Sequence, residues 1–473
     1  PGPWTMVAGI RSLPPGGRLT MDADGQVRVD RWIRRDPQPH ARSERPDPAR
    51  LRAKLDEAVA AQLVADVPLG IALSGGIDST LLAESAARVR RPSDPPLTAI
   101  TVDGPGMPPE EVAFAAATAA RLGMEHRVVH IAETAINDRL PEVAWAADEP
   151  VTDPATLSSL QLCEAAASQV RVLLLGAGGD ELFGGYPGMP VRWSERLWAA
   201  IPERVRARLI DRLAAGDPRR RDRLEAMGRT RRSRIAMHLL LRSELPPQIR
   251  RELGGAILPG PGSDRDPVAA VREAFDVAID CDLLTQQLHA DLETYLPDQL
   301  LAMLDRTSMA AGIEGRVPLL DERFAAEAMA IHGRWKIGAG GSGKRILRSM
   351  LEPGAGAALA RRPKSGFASP VAAWLGTEMP SMLGRLIEDP RSISASILTP
   401  GWIRGHLDRT ISGSWRDAGW LHGLTMIELW HRLLIVERRF DRPTESIDRL
   451  LADRPAARQM LEVTPKPIPE AAA

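Results

Sequence analysis

Residues 71–82 read IALSGGIDSTLL. An apolar run enters two glycines, and Asp78, Ser79 and Thr80 then stand before a second apolar run. The first run predicts a buried strand and the second a helix, joined by a turn from which side chains have been removed. A turn of this kind lies at the carboxyl edge of a parallel sheet, where open α/β folds take their ligands. Gly75 and Gly76 let backbone N–H groups form a concave anion nest, and the helix start adds partial positive charge. Ser74, Ser79 and Thr80 can donate to phosphate oxygens. Asp78 repels a phosphate and suits instead a divalent cation shared between carboxylate and phosphate, as Mg²⁺ prefers. No Lys follows the glycines, so the loop is not the GxxxxGK[ST] type.

Working outward, the flanking pattern is α/β. A helix over ARLRAKLDEAVAAQLVA (49–65) precedes the strand PLGIALS (68–74), and a helix after Ser79 precedes the strand LTAITVD (97–103). The helix PEEVAFAAATAARLG (109–123) leads to the strand EHRVVHI (125–131), and VRVLLLG (170–176) supplies another. Alternation of this kind predicts a doubly wound parallel sheet. After about Tyr186 strand signals vanish, and helices with Pro and Gly breaks are expected to about residue 440. Before the sheet, Asp24-Gly25 between RLTM and VRV signals a hairpin, and HARSERPDPARL (40–51) reads as a linker. The expected units are a β-rich piece over 1–43, a main domain over 48–440, and a helix with a disordered Pro/Ala-rich tail over 441–473. The stretch between Ile201 and Glu252 is rich in Arg and reads first as a solvated helical face, with an anionic-partner surface as the other reading.

Bulk composition narrows the classes. The 473 residues allow two or three domains, and 61 basic residues balance 61 acidic ones, so no overall charge draws the chain to nucleic acid or membrane. Cys163 and Cys281 form no CxxC pair, which argues against a disulfide scaffold or zinc site and fits a reducing cytoplasm. No apolar run approaches the roughly 18 residues of a membrane span, and no signal peptide opens the sequence.

A second stretch repeats the logic of the first. VLLLGAGGDELFGGY (172–186) is an apolar strand, a Gly-rich turn and then Asp180 and Glu181. Asp180 with Asp78 would give Mg²⁺ two carboxylates from neighbouring strand ends. Of the five lysines (54, 336, 344, 364 and 466), Lys344 opens a helix in GKRILRSM and Lys364 sits in the Pro/Gly-flanked loop RRPKSGF.

The opening loop resembles the SGGxDS pyrophosphate loop of ATP pyrophosphatases, which also occurs in GMP, NAD and argininosuccinate synthetases and in tRNA-modifying enzymes. GIRSLPPGGRL, DVPLGIALSGGIDST, DEPVTDPA, GAGGDELFGGY, DRTSMAAGIEGRVPLLD, KRILR and RRPKSGF then follow in the order of the synthetase domain of asparagine synthetases, which the chain resembles from about Gly9 to residue 440. The resemblance implies an adenine nucleotide alpha hydrolase-like sheet with an appended helical region. It also implies a reaction in which a carboxylate attacks the α-phosphorus of Mg-ATP, pyrophosphate leaves, and an amine displaces AMP to form an amide. By matching position, Ser74, Gly75, Gly76, Asp78 and Ser79 form the pyrophosphate loop, and Asp78 and Asp180 are the metal-binding carboxylates. The resemblance further implies that Lys344 contacts pyrophosphate, that Lys364 stabilises charge during adenylation and amide formation, and that Leu73, Val102 and Gly176 line the nucleotide.

The sequence departs from that family at two places. Its first forty residues match only the end of the glutaminase domain, and neither cysteine matches that domain's nucleophile, so glutamine hydrolysis by that route is not expected of these residues. Where the family reads Gly-Glu-Gly this chain has Gly176-Ala177-Gly178, which removes a proton acceptor and leaves more room. β-Lactam synthetases carry Tyr there, and lasso-peptide cyclases and related amide synthetases often lack the Glu. The expectation is therefore an amide synthetase of specialised metabolism, with macrolactam closure of a lasso peptide the leading example. Its expected substrates are a small-molecule or peptide carboxylate and an amine. A homodimer or a companion biosynthetic protein is the expected assembly. Asparagine synthesis is the alternative. An RNA-modifying pyrophosphatase using the Arg-rich helices, or a non-catalytic scaffold, accounts for fewer of the motifs.

Overall fold

The sheet expected from the alternating pattern is present in the computed structural model, with one strand more than the sequence signals. The structure describes residues 2–33, 44–91, 94–104, 108–130, 136–186, 201–213, 234–242, 268–338, 343–351, 378–411 and 418–452, with isolated residues between them. A ribbon of β1 (Gly17–Met21) and β2 (Val27–Arg31) comes first, followed by α1 (Pro48–Gln62), β3 (Leu69–Ala72) and α2 (Ile77–Val89). Next are β4 (Thr98–Asp103), α3 (Pro109–Arg121), β5 (Glu125–His130), α4 (Ile136–Ala146), α5 (Ala155–Ala167), β6 (Val172–Leu174) and α6 (Gly179–Phe183). Beyond these, β7 (Glu314–Arg316) returns to the sheet among helices that extend to residue 452. Strand order is β5-β4-β3-β6-β7, every pair parallel.

Strand β7 corrects the expectation that only helices follow Tyr186. Glu-Gly-Arg has no apolar alternation, and its residues are exposed or half-buried, so local pattern does not mark it. Pairing makes it a strand: Val172 faces Glu314 and Leu174 faces Arg316, and Leu175 N–H donates to the Arg316 carbonyl at 2.8 Å. Arg316 also donates to the carbonyls of Gln62 and Val64 at 2.7 and 2.8 Å, tying the strand to the C-terminal end of α1. The ribbon's turn, Asp22 to Gln26, holds Asp24-Gly25 as expected, with Gly25 at φ +79°.

The central strands are covered on both faces, as parallel sheets require. Side chains of β6 alternate: Val172 and Leu174 enter one apolar cluster with Leu51, Leu55, Leu81 and Phe183, while Leu173 and Leu175 enter another with Ile100, Leu162 and Ile313. Each fully buried leucine contributes about 1.5–3 kcal/mol. A further cluster packs α4 and α5 against helices Met379–Glu388, Pro400–Ile411 and Ala418–Trp430. Among the described residues no helix is long and apolar enough to cross a membrane.

One brace crosses the layers. Glu84 of α2, whose side chain has no exposure, accepts from Arg52 of α1 at 3.1 Å and from Arg121 of α3 at 2.7 Å. Arg52 also donates to the carbonyl of Met350 at 2.9 Å, so the helix Arg345–Met350 is pinned to the same carboxylate. A different cation is not so provided for. Lys336 is fully buried, its Nζ makes no hydrogen bond among the described residues, and burial pushes its pKa down to about 8 although Asp282 pulls upward.

That burial carries a pH signature. Between the folded value of about 8 and the ordinary 10.5, the unfolded chain holds a proton that the folded chain has lost, so stability rises with pH across this window. Below it the full cost of the buried ammonium is present, on the order of 3 kcal/mol. Lys336→Met should therefore be more stable than wild type at neutral pH, with the gap closing as pH rises through the window. Urea unfolding of both proteins across the range checks this; a pH-independent gap would exclude the ammonium as its cause.

Candidate active site

Strand order places the site before any side chain is considered. The chain runs from β3 out to β4 and β5, then returns to β6 on the other side of β3, so direction reverses between β3 and β6. In open α/β sheets ligands bind at the carboxyl ends of the strands flanking such a reversal. Residues 73–79 follow β3 and residues 175–180 follow β6.

After β3 the chain turns tightly. Leu73 is buried, its N–H donating to the Ile100 carbonyl at 2.8 Å and its carbonyl accepting from Thr101 Oγ1 at 2.7 Å, so it is locked to β4 beside Val102. Gly75 adopts φ +68°, and a Cβ there would overlap the Glu111 carbonyl of α3. Ser79 Oγ lies 3.1 Å from Ser74 Oγ, accepts from the Ser74 N–H at 3.2 Å and donates to the Gly76 carbonyl at 3.2 Å. These bonds fold the Ser-Gly-Gly turn onto the start of α2. The helix begins at Ile77, so Asp78 stands in its first turn, where the helix dipole favours a carboxylate.

The loop after β6 is laid against this turn. A Cβ on Gly176 would sit 3.2 Å from the Asp78 Cβ and 3.3 Å from the Ser79 nitrogen. Gly179 touches Asp78 more closely, with a Cβ there falling 2.5 Å from Oδ1. Gly178 takes φ +93° against Leu320, and Ala177 between these glycines is half-buried. Asp180 follows in α6.

Lys344 joins the two loops. Its Nζ contacts Asp78 Oδ2 and lies 2.8 Å from Asp180 Oδ1. Only 8% of the lysine side chain is exposed, against 16% and 19% for the two carboxylates. Burial alone would lower the lysine's pKa, but the carboxylates hold it above its ordinary value, so the ammonium is fixed. The backbone of Lys344 is left-handed at φ +59°, and its N–H donates to the Phe183 carbonyl at 3.2 Å. Gly185 makes the approach available: a Cβ there would overlap both Asp180 Oδ1 and Lys344 Cε. The structure thus brings together Leu73, Ser74, Gly75, Gly76, Asp78, Ser79, Val102, Gly176, Asp180 and Lys344. Lys364 and its loop lie outside the described residues.

Three contributors were missed in the sequence. Gly179 and Gly185 are visible as glycines, but nothing local tells which side chain each must clear. Arg348 feels the Asp78 charge, and its place one helical turn after Lys344 is the signal that could have found it. Among its described residues, the Arg-rich segment departs from a solvated face at Arg242 and at the buried His238. The Arg242 guanidinium lies over the rings of both Tyr186 (3.9 Å) and Tyr295 (4.3 Å), which meet each other edge to face, and its Nε donates to Asp291 Oδ1 at 2.7 Å. Tyr186 in turn donates to the buried Glu181, whose carboxyl is pushed up by burial and by Asp180. Most of the most basic part of that segment, residues 214–233, lies outside the described residues.

Fold and site together define a nucleotide-type α/β site with two carboxylates and one ammonium at the reversal point. The asparagine synthase family matches residues 50–432, and the chain belongs to that family. A putative glutamine-hydrolyzing asparagine synthetase of Mycobacterium tuberculosis is 31% identical over 389 residues, covering 79% of this chain and 57% of that protein. Asparagine synthetase 1 of Bacillus subtilis is 28% identical over 395 residues, covering 83% of this chain and 60% of its own. The chain thus spans less than two thirds of the length of these relatives. A fungal protein named amidase chyE, from Penicillium rubens, is 35% identical over 159 residues, 31% of this chain and 24% of its own.

Crowding at Gly185 gives a direct check. Gly185→Ala must displace Asp180 or Lys344 and should cost about 1–3 kcal/mol of stability, as overpacking does. Gly401→Ala meets nothing within 4 Å on its helix and should be neutral or slightly stabilising. Thermal unfolding of the two variants, side by side, reads the difference.

Proposed function

We propose that this chain is the synthetase part of an ATP-dependent amide synthetase that forms AMP: it adenylates a carboxylate and passes the acyl group to an amine. The observation that carries this reading is the meeting of Asp78, Asp180 and Lys344 beside the Ser-Gly-Gly turn at the reversal point. Family membership supports it.

The donor set fits Mg²⁺. Asp78 and Asp180 are hard oxygen donors from adjacent strand ends, and they already converge on a single cation, the lysine ammonium. When bound there, Mg²⁺ would neutralise charge on the triphosphate. The protein's own groups do the rest. Ser74, Gly75, Gly76 and Ser79 bind the pyrophosphate end, and Leu73, Val102 and Gly176 border the nucleotide. A substrate carboxylate oxygen attacks the α-phosphorus, the bond to pyrophosphate breaks, and Lys344 stabilises the departing charge. An amine nitrogen then adds to the acyl carbon, the acyl carbon–oxygen bond to AMP breaks, and the proton lost from the amine passes to solvent. Lys364 acts on the charge that develops in both steps, where a preorganised cation is most effective.

Ala177 supports an acyl partner other than aspartate, since it offers no proton acceptor where the family has Glu. We place the reaction in specialised metabolism, with macrolactam closure of a peptide as the leading case. A cytoplasmic setting is supported by two cysteines that are both buried and free. Formation of asparagine from aspartate and ammonia or glutamine is the second reading, favoured by the names of the relatives.

Turnover should release AMP and pyrophosphate, and ADP as the main product would sink the proposal. Mass spectrometry of products from peptide and amino-acid substrates separates the two readings. Asp78→Asn and Asp180→Asn should each lower activity by about a hundredfold or more, comparable with loss of one electrostatic contact to the transition state. Circular dichroism should show the fold retained, because both side chains stand at the sheet's rim. Near-normal turnover in either variant would remove that residue from the metal site.

A further inference from the structure

We propose that Lys344 is the resident counter-ion of the nucleotide-free site, and that it keeps a lone divalent cation off Asp78 and Asp180 until a polyphosphate draws its ammonium away. This rests on the ATP-dependent reading above and assigns one residue the task of making cation and polyphosphate bind together.

The geometry points to a place built for the ammonium. Nζ touches one oxygen of each carboxylate, in a region where all three side chains are less than one-fifth exposed. Two carboxylates held so near each other with little water repel unless a cation stands between them. The lysine is not brought there by a relaxed backbone. Lys344 occupies the left-handed region, which a side chain rarely adopts, and is held in it by its N–H to Phe183 and by the Arg348 N–H donating to its carbonyl at 2.9 Å. The two glycines clear the path, Gly179 for Asp78 and Gly185 for both Asp180 and the lysine stem.

Charge then dictates the order of events. Asp78, Asp180 and Lys344 together carry one net negative charge, and Arg348 one helical turn on adds a further positive charge that Asp78 feels. A divalent cation arriving alone would meet an ammonium at the oxygens it needs, and the two cations would repel at contact distance. A polyphosphate changes this, because its oxygens offer the ammonium an equal or better partner within reach of its flexible four-carbon stem. The carboxylates are released to the metal as the ammonium moves to the phosphates. Metal and polyphosphate should therefore each raise the affinity for the other, by the same factor.

Mn²⁺ and inorganic pyrophosphate are sufficient probes. Free Mn²⁺ is titrated into nucleotide-free protein by electron paramagnetic resonance, with and without pyrophosphate. Wild type should bind Mn²⁺ weakly alone and at least tenfold more tightly with pyrophosphate. Lys344→Met should bind Mn²⁺ alone at least tenfold more tightly than wild type, and pyrophosphate should add less. Lys344→Arg, which keeps a cation, should stay weak. Adding Asp78→Asn to Lys344→Met should abolish the gain. If Lys344→Met does not fold, Lys344→Gln carries the same expectation. Unchanged Mn²⁺ affinity in a folded neutral variant overturns the proposal, and so does a gain that survives Asp78→Asn. None of these titrations requires turnover. A wild type that excludes Mn²⁺ as expected but releases no AMP would defeat the catalytic reading and leave the counter-ion standing.

Discussion

One buried carboxylate, Glu84, ties together the layers that carry the site. Glu84 gathers Arg52 and Arg121, and through Arg52 it also fixes the carbonyl that ends the helix beginning after Lys344. Asp78 lies in the same helix as Glu84, nearer its start. Asp78 and the lysine that meets it are thus both tied to the Glu84–Arg52 pair, although they lie 266 positions apart in sequence. Removing a partner from such a buried pair costs about 3–5 kcal/mol, because the remaining charge is stranded. The position of Lys344 over Asp78 is therefore a property of the packed layers, and local loop chemistry only completes it.

Much of this was legible in the chain, and the limits have physical reasons. Strands β3, β4, β5 and β6 are apolar or alternating runs bounded by turn residues, so they could be read directly. The two carboxylates stood out because each follows a Gly-rich turn after an apolar strand, and Lys344 because it is one of five lysines and opens a helix. Strand β7 could not be read, since Glu-Gly-Arg becomes a strand only by pairing with β6. Glu84 was equally hidden: an acid in mid-helix, among apolar and alanine residues, gives no sign that two arginines from other helices will close on it. Glycine shows that a side chain is absent without showing what fills the space, which is why Gly179 and Gly185 gained meaning only with Asp78 and Asp180 in place.

Arginine gives the weakest local sign of its role. Composition makes it common, and a helix carrying several reads as a solvated face. Arg242 instead sits in the corner formed by two perpendicular tyrosine rings and is paired with Asp291, which is raised above the usual carboxylate range by burial. Its stacking orients Tyr186, whose hydroxyl reaches Glu181 beside Asp180. Burial and Arg242 together keep the neighbouring His238 neutral, with a pKa pushed down to about 3. A segment that reads as surface thus supplies a positioning contact one residue from the carboxylate cluster.

The two borders of the main sheet bear on how this chain can associate. One border is Glu314-Gly315-Arg316, three residues long with a charge at either end. The other is β5, where Glu125, Arg127 and His130 are exposed among the valines. Short or charged borders discourage another strand from adding by backbone hydrogen bonding. Both borders of the sheet thus disfavour strand addition, while among the described residues the ribbon presents an apolar face on which Leu19, Met21, Val27 and Val29 stand exposed together.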